Sequence, residues 1–217
     1  MEPSFWQQRW AQHEIGFHEG APNEHLQRFG HLLGTQGRVF VPLCGKSHDL
    51  DFLSDSGFEV TGCELVSSAV EAYFAERDQA TATHPVGSLT VYTSPARPSV
   101  RIACGDVFAW QDDLGPYDAV FDRAALVALT APQREAYAKT ILAMLKPRAK
   151  ILLVSVDHDL GSGPPHEVSR AEIELLYGEA CTVELLTSHD ALPNNQRFAD
   201  RGATRWIEHV YLLTARA

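Results

Sequence analysis

Four short runs of this chain carry residue types suited to recognising a small ligand, and each follows a stretch of apolar, largely β-branched residues. They are Pro42-Leu43-Cys44-Gly45-Lys46-Ser47, Gly62-Cys63-Glu64-Leu65, Cys104-Gly105-Asp106-Val107-Phe108 and Asp122-Arg123-Ala124-Ala125-Leu126. In an open parallel sheet, ligands bind beyond the carboxyl ends of the strands, so residues directly after strands are the first to question. Gly45-Lys46-Ser47 invites a phosphate-loop reading. The motif G-x-x-x-x-G-K-S needs a glycine five positions earlier, however, and Phe40 stands there inside an apolar run. No G-x-G-x-x-G is present either, so a dinucleotide loses its usual turn, and Gly45 taken alone reads as a tight-turn glycine.

Glu64 follows the second apolar run, about twenty residues after the first turn. A carboxylate there can accept both hydroxyls of a ribose, because two vicinal donors match two carboxylate oxygens. On position alone, a solvated acid capping the helix that starts near Val66 has equal weight. Asp106, beside Gly105, can read the edge of an adenine or simply complete a Gly-Asp turn. Arg123 has no packing reason to follow Phe121; the bland alternative pairs it with Asp122 or Asp118 at a helix start. Together, a strand-end acid, a Gly-Asp and a glycine turn without the dinucleotide fingerprint describe a site for a nucleoside rather than a pyrophosphate. S-adenosylmethionine fits that description, since its sulfonium favours acidic and aromatic walls.

The elements that must hold these residues follow from the hydrophobic pattern. From residue 38 the chain alternates short apolar runs with amphipathic stretches, as repeated β-α units around a mostly parallel sheet do. Strands are expected at 38–43, 58–63, 100–103, 119–121, 151–156, 182–186 and 206–213. Helices are expected from Ser47, as N-cap, to Asp55 with Gly57 as the stop, over 66–78, over 132–145 with Lys146-Pro147 as the terminator, and over 171–177. Residues 84–99 hold Pro85, Gly87, Pro95 and Pro98 and read as a surface loop or hairpin. Trp6, Trp10, Phe17 and Phe29 among polar residues mark 1–30 as a helical cover on a single domain spanning 1–217.

Composition bounds the rest. At 217 residues, 45% hydrophobic and 21% charged, the chain can bury roughly 70% of its unfolded surface. Eighteen basic against 28 acidic residues give a net charge of −10, which opposes binding to nucleic acid or an anionic membrane and disfavours self-association, so a monomer is expected. Four scattered cysteines without a C-x-x-C suit a reducing cytoplasm. No secretory leader or membrane-spanning run is seen. The ten histidines include His158 and His166 near one another, but none has metal-ligand spacing, and no metal is expected.

The runs Val41 to Ser47, Gly62 to Leu65, Asp122 to Leu126 and Gly163-Pro164-Pro165-His166, with Trp6-Gln7-Gln8-Arg9-Trp10 through Gly16-Phe17-His18, resemble the thiopurine S-methyltransferase family over nearly the whole chain. The resemblance implies a three-layer α/β/α class I methyltransferase fold with about seven strands, the last antiparallel. It further implies that Trp6, Trp10, Phe17, Leu43, Glu64, Asp106, Val107 and Arg123 contact S-adenosylmethionine, with Phe17 also facing the acceptor. Arg197, within Asn195-Gln196-Arg197-Phe198, resembles a second arginine on the acceptor side, and Arg123 and Arg197 are the catalytic candidates. The implied reaction is methyl transfer to the sulfur of thiopurines and other aromatic thiols. Relatives of bacterial type extend this to selenium and tellurium compounds. A class I methyltransferase with a non-thiol acceptor and a non-catalytic nucleoside-binding protein are the alternatives.

Overall fold

Alternating core-facing residues and well-placed turn residues build each element. The computed structural model describes residues 3–161 and 163–217. The expected cover begins with α1 (Pro3–Ala11) and α2 (Glu24–Phe29); Met1 and Glu2 lie outside the described residues. Asn23 caps α2 by accepting the His25 and Leu26 N–H groups on its side-chain oxygen. The β-α units follow as β1 (Gly37–Val41), α3 (Asp49–Asp55), β2 (Phe58–Glu64) and α4 (Ser67–Ala75). Next come β3 (Ala82–Val86), β4 (Leu89–Thr93), β5 (Val100–Cys104), β6 (Tyr117–Arg123) and α5 (Ala131–Ala143). The chain closes with β7 (Leu145–His158), α6 (Arg170–Tyr177), β8 (Cys181–Asp190), α7 (Gln196–Ala199) and β9 (Trp206–Ala215).

The described residues form a nine-stranded sheet in the order β3-β4-β5-β2-β1-β6-β7-β9-β8. Strands β5, β2, β1, β6 and β7 are mutually parallel, whereas β9 runs antiparallel to both β7 and β8. The expected count of seven is therefore two short. The extra strands are the arms of the 84–99 segment, which pair with each other and add antiparallel to β5. That segment is not purely surface: Leu89 and Val91 are buried against Ala103 and Leu114, which rewards the pairing despite Pro85.

Period-two alternation divides the side chains between the two faces of the sheet. Val39, Val41, Ala119, Phe121, Leu152 and Val154 pack with Leu26, Leu50, Leu53, Val70, Tyr73 and Phe74 from α2, α3 and α4. Phe40, Val120, Ile151 and Leu153 point the other way and pack with Tyr137, Ala138, Ile141, Ile173 and Tyr177 from α5 and α6. This is the three-layer α/β/α arrangement.

Most element boundaries shift by a few residues, and two of the shifts change the part a named residue plays. Helix α3 begins at Asp49 with His48 at the cap position. Ser47 Oγ accepts the Asp49 N–H at 3.1 Å from one residue earlier, so it braces the approach rather than serving as the N-cap. Helix α5 ends at Ala143, and Lys146 and Pro147 belong to the start of β7. A proline lacks the N–H a ladder needs, and here it falls where the β6–β7 register shifts between Tyr117 and Ala119. No helix among the described residues is long and apolar enough to cross a membrane.

Candidate active site

The carboxyl ends of β1, β2, β5 and β6 open onto a cavity of roughly 730 Å³ roofed by α1 and the segment after it. All the residues that the family resemblance assigned to the site line it: Trp6, Trp10, Phe17, Leu43, Glu64, Asp106, Val107, Arg123 and Arg197. The turns that deliver them are sharp. Leu43 (φ 47°) and Ala124 (φ 60°) occupy the left-handed region, which costs a non-glycine residue about 1–2 kcal/mol.

Glu64 ends β2 and is 6% exposed. Its Oε2 accepts the Gly45 N–H at 2.8 Å and its Oε1 accepts the Val66 N–H at 2.8 Å. The capping reading of this acid holds in part: it does brace the chain entering α4, but it is buried, not solvated, and it faces the cavity. Each oxygen can take a second donor, which is what a vicinal diol offers. Burial raises the carboxyl pKa, and the N–H bonds from Val66, Gly45 and Leu65 pull it partly back. Gly45 needs its lack of a side chain twice over. Its φ is +53°, and a Cβ there would lie 3.1 Å from Trp10 Cζ2.

Trp10 is thereby laid directly on the glycine turn, 9% exposed, and Phe17 packs edge-on against both Trp10 (5.9 Å) and Trp6 (5.8 Å). With Val66, Ala69 and Leu65 they form an aromatic roof above the start of α4. At the neighbouring strand end, Asp106 is exposed and its Oδ1 accepts the Phe108 N–H at 3.0 Å, while Val107 is buried. Asp106 thus shapes the turn in which Val107 turns inward.

Two arginines grip the segment linking α1 to α2. Arg123 Nη1 donates to the Phe17 carbonyl at 2.8 Å, and Nη2 pairs with Glu19. The bland pairing with Asp122 or Asp118 does not occur: Asp122 instead accepts Leu126 N–H (3.1 Å) and Tyr137 O–H (2.7 Å), and Asp118 takes Lys146. From the opposite side, Arg197 donates to the Gly16 carbonyl. Burial, with Arg123 and Arg201 nearby, lowers the pKa of Arg197 from the ordinary arginine value.

Several lining residues escaped the sequence reading, notably Glu19, Arg201, Trp206 and Glu208. Trp206 is sandwiched between Phe198 (ring centroids 3.6 Å apart, 10° between planes) and His158 (4.8 Å, 6°). The His158–His166 proximity noted in the sequence has a structural use, since His158 Nε2 lies 3.1 Å from the Pro165 carbonyl, next to the cavity wall. The signal for Trp206 and Glu208 lay in strand direction. Because β9 is antiparallel, its first residues, not its last, sit at the cavity end of the sheet.

The residues fit a nucleoside carrying a sulfonium: a buried acid with spare acceptor capacity, a glycine turn that admits close approach, and a roof of aromatic faces. Comparison with known proteins agrees. The family model described as thiopurine S-methyltransferase matches residues 1–216. A thiopurine S-methyltransferase of Nitrosospira multiformis is 41% identical over 221 residues, covering 100% of this chain and 99% of the relative. One from Pseudomonas fluorescens SBW25 is also 41% identical, covering 100% of both. Among solved structures, a Burkholderia thailandensis 1,6-didemethyltoxoflavin-N1-methyltransferase, with 1,6-didemethyltoxoflavin and S-adenosylhomocysteine bound, shares the fold. It has a TM-score of 0.69 at 17% identity, over 99% of this chain and 87% of that one. The glycopeptide N-methyltransferase MtfA, complexed with S-adenosylhomocysteine, does so at a TM-score of 0.61 and 16% identity, over 91% of each chain. With its full-length match and these strand-end residues in place, the chain belongs to the thiopurine S-methyltransferase family, whose members draw their methyl group from S-adenosylmethionine.

Proposed function

We propose that this enzyme methylates the sulfur of aromatic and heterocyclic thiols, thiopurines among them, with selenium and tellurium compounds as further acceptors. The observation that carries the reading is the placement of a buried carboxylate, Glu64, and two arginines, Arg123 and Arg197, around one aromatic-walled cavity. S-adenosylmethionine supplies an electrophilic methyl group when bound. On the cofactor side, Glu64 accepts the ribose hydroxyls, the Asp106-Val107 turn and Leu43 flank the base, and Trp6, Trp10 and Phe17 close over the sulfonium end. On the acceptor side, Phe17, Arg197 and the Phe198–Trp206 stack hold a planar ring.

Aromatic thiols are acidic enough to present a thiolate near neutral pH, so positioning matters more than a strong base. Arg123 and Arg197 hold that anionic sulfur, and the aromatic roof keeps water from it. The four cysteines are all free thiols, which supports a reducing cytoplasm as the working compartment. A monomer suffices for this chemistry, and sedimentation velocity checks it.

The test is a mixture of aromatic thiols, phenols, amines, selenols and tellurite incubated with the enzyme and S-adenosylmethionine, with products identified by mass spectrometry. Methylated thiols are expected to dominate. Methylation confined to oxygen or nitrogen, or cofactor binding without turnover of any thiol, overturns the proposal.

A further inference from the structure

The sequence suggested no metal site, because no two histidines have ligand spacing. The fold nevertheless gathers four donors from three elements beside the cavity. Glu24 and His25 come from α2, His189 from β8 and Glu208 from β9. One ligand atom each of Glu24, His25 and His189 lies within 4.8 Å of the others. His25 Nε2 is 3.1 Å from Glu208 Oε2 and 4.0 Å from Glu24 Oε1, while His189 Nε2 is 3.9 Å from each of the same two oxygens.

These distances are close to what a tetrahedral ion demands. Bonds of about 2.0–2.1 Å at tetrahedral angles place neighbouring donors about 3.3 Å apart. His25 and Glu208 are already that close at 3.1 Å, while the separations of 3.9–4.0 Å involving Glu24 and His189 must shorten as an ion draws those two side chains in. The freedom to do so is present, since the Glu24 side chain is 77% exposed and His189 is 35% exposed, while His25 at 5% is a fixed anchor. Two imidazoles with two carboxylates form an N₂O₂ set whose charge balances a divalent ion. That set suits zinc and its neighbours rather than calcium or magnesium, which prefer oxygen alone.

We propose that Glu24, His25, His189 and Glu208 bind a zinc-type divalent cation that fastens the N-terminal cover to the β8–β9 edge of the sheet. The site adjoins the catalytic machinery. Glu208 lines the cavity, and Asn23, immediately before Glu24, donates to Glu19 at 3.2 Å, the carboxylate that pairs with Arg123. Metal binding would thus order the same strap that the two arginines hold. The inference does not depend on which acceptor the enzyme methylates.

The full-length protein, stripped with a chelator, is titrated with zinc by calorimetry and with cobalt followed by its visible absorption, and melting is recorded with and without zinc. Saturable binding of a single ion and a raised Tm are expected. His189→Ala at a half-buried side chain and Glu24→Gln at an exposed one, both outside the hydrophobic core, should weaken binding more than about tenfold and abolish the Tm shift. His84→Ala, on the exposed β3 strand at the opposite end of the sheet, should behave as the parent. The proposal is overturned by absence of saturable binding, by unchanged affinity in His189→Ala and Glu24→Gln, or by equal loss in His84→Ala.

Discussion

Removing the Glu64 side chain should weaken cofactor binding while leaving the protein folded. The carboxylate already accepts two backbone N–H groups at 2.8 Å and has acceptor capacity left for two ribose hydroxyls. Losing a charge-assisted contact of that kind costs about 1.5–3 kcal/mol, which is roughly a 10- to 150-fold rise in Kd. In Glu64→Ala the Gly45 and Val66 N–H groups lose their acceptor, but the buried charge disappears as well, and the small side chain leaves room for water to serve both donors. The two effects on stability oppose each other, so the net change is expected to stay within about 2 kcal/mol. Isothermal titration with S-adenosylhomocysteine reads the affinity, and circular dichroism with urea unfolding reads the fold. Because burial raises the Glu64 pKa, the parent enzyme should also lose affinity as pH falls through that raised value, whereas Glu64→Gln should be weak and flat with pH. A Kd for Glu64→Ala within about twofold of the parent would remove this residue from the cofactor site.

Arg123→Lys keeps the charge but loses the planar fork that reaches the Phe17 carbonyl and Glu19 together. For a thiol acceptor, kcat and kcat/KM should fall by a similar factor while S-adenosylhomocysteine affinity changes little. A rise confined to the KM for S-adenosylmethionine would make Arg123 a cofactor clamp. Asp122 is buried, and burial pushes its pKa from 3.8 to about 6 against the bonds from Tyr137 and Leu126. A carboxyl with a raised folded-state pKa stabilises fully below its unfolded value, and that contribution is lost as pH rises through the folded value. At about 1.4 kcal/mol per pH unit, the parent should lose on the order of 3 kcal/mol relative to Asp122→Asn between about pH 4 and about pH 7. Parallel urea-unfolding stability profiles for the two proteins would show that Asp122 does not carry this linkage.

Much of the site was legible in the sequence because the rule that locates it is local. A residue directly after a parallel strand lies at the carboxyl edge of the sheet, so Glu64, Asp106 and Arg123 could be singled out from apolar runs and the residues that end them, whereas Leu43 and the N-terminal aromatics came only through the family resemblance. The glycine at 45 could likewise be read as a turn, although its second constraint, the indole of Trp10 lying on it, was not visible. The alternation of apolar runs with amphipathic stretches carried the α/β architecture, and the structure adds that Val39 and Val41 face one helix layer and Phe40 the other.

What the tertiary structure alone decided are the pairings across long stretches of chain. Arg123 meets Glu19 across 104 residues, Arg197 meets Gly16 across 181, and His25 meets Glu208 across 183. No local periodicity encodes such contacts, because they depend on how whole elements pack. The antiparallel course of β9 was implied by the family resemblance and not by its own residues: an apolar run reads identically in either direction, yet direction determines whether Trp206 and Glu208 reach the cavity or its far side. The added hairpin follows this logic too, for β3 and β4 become strands only because β5 offers an open edge and the Ala103–Leu114 surface buries Leu89 and Val91.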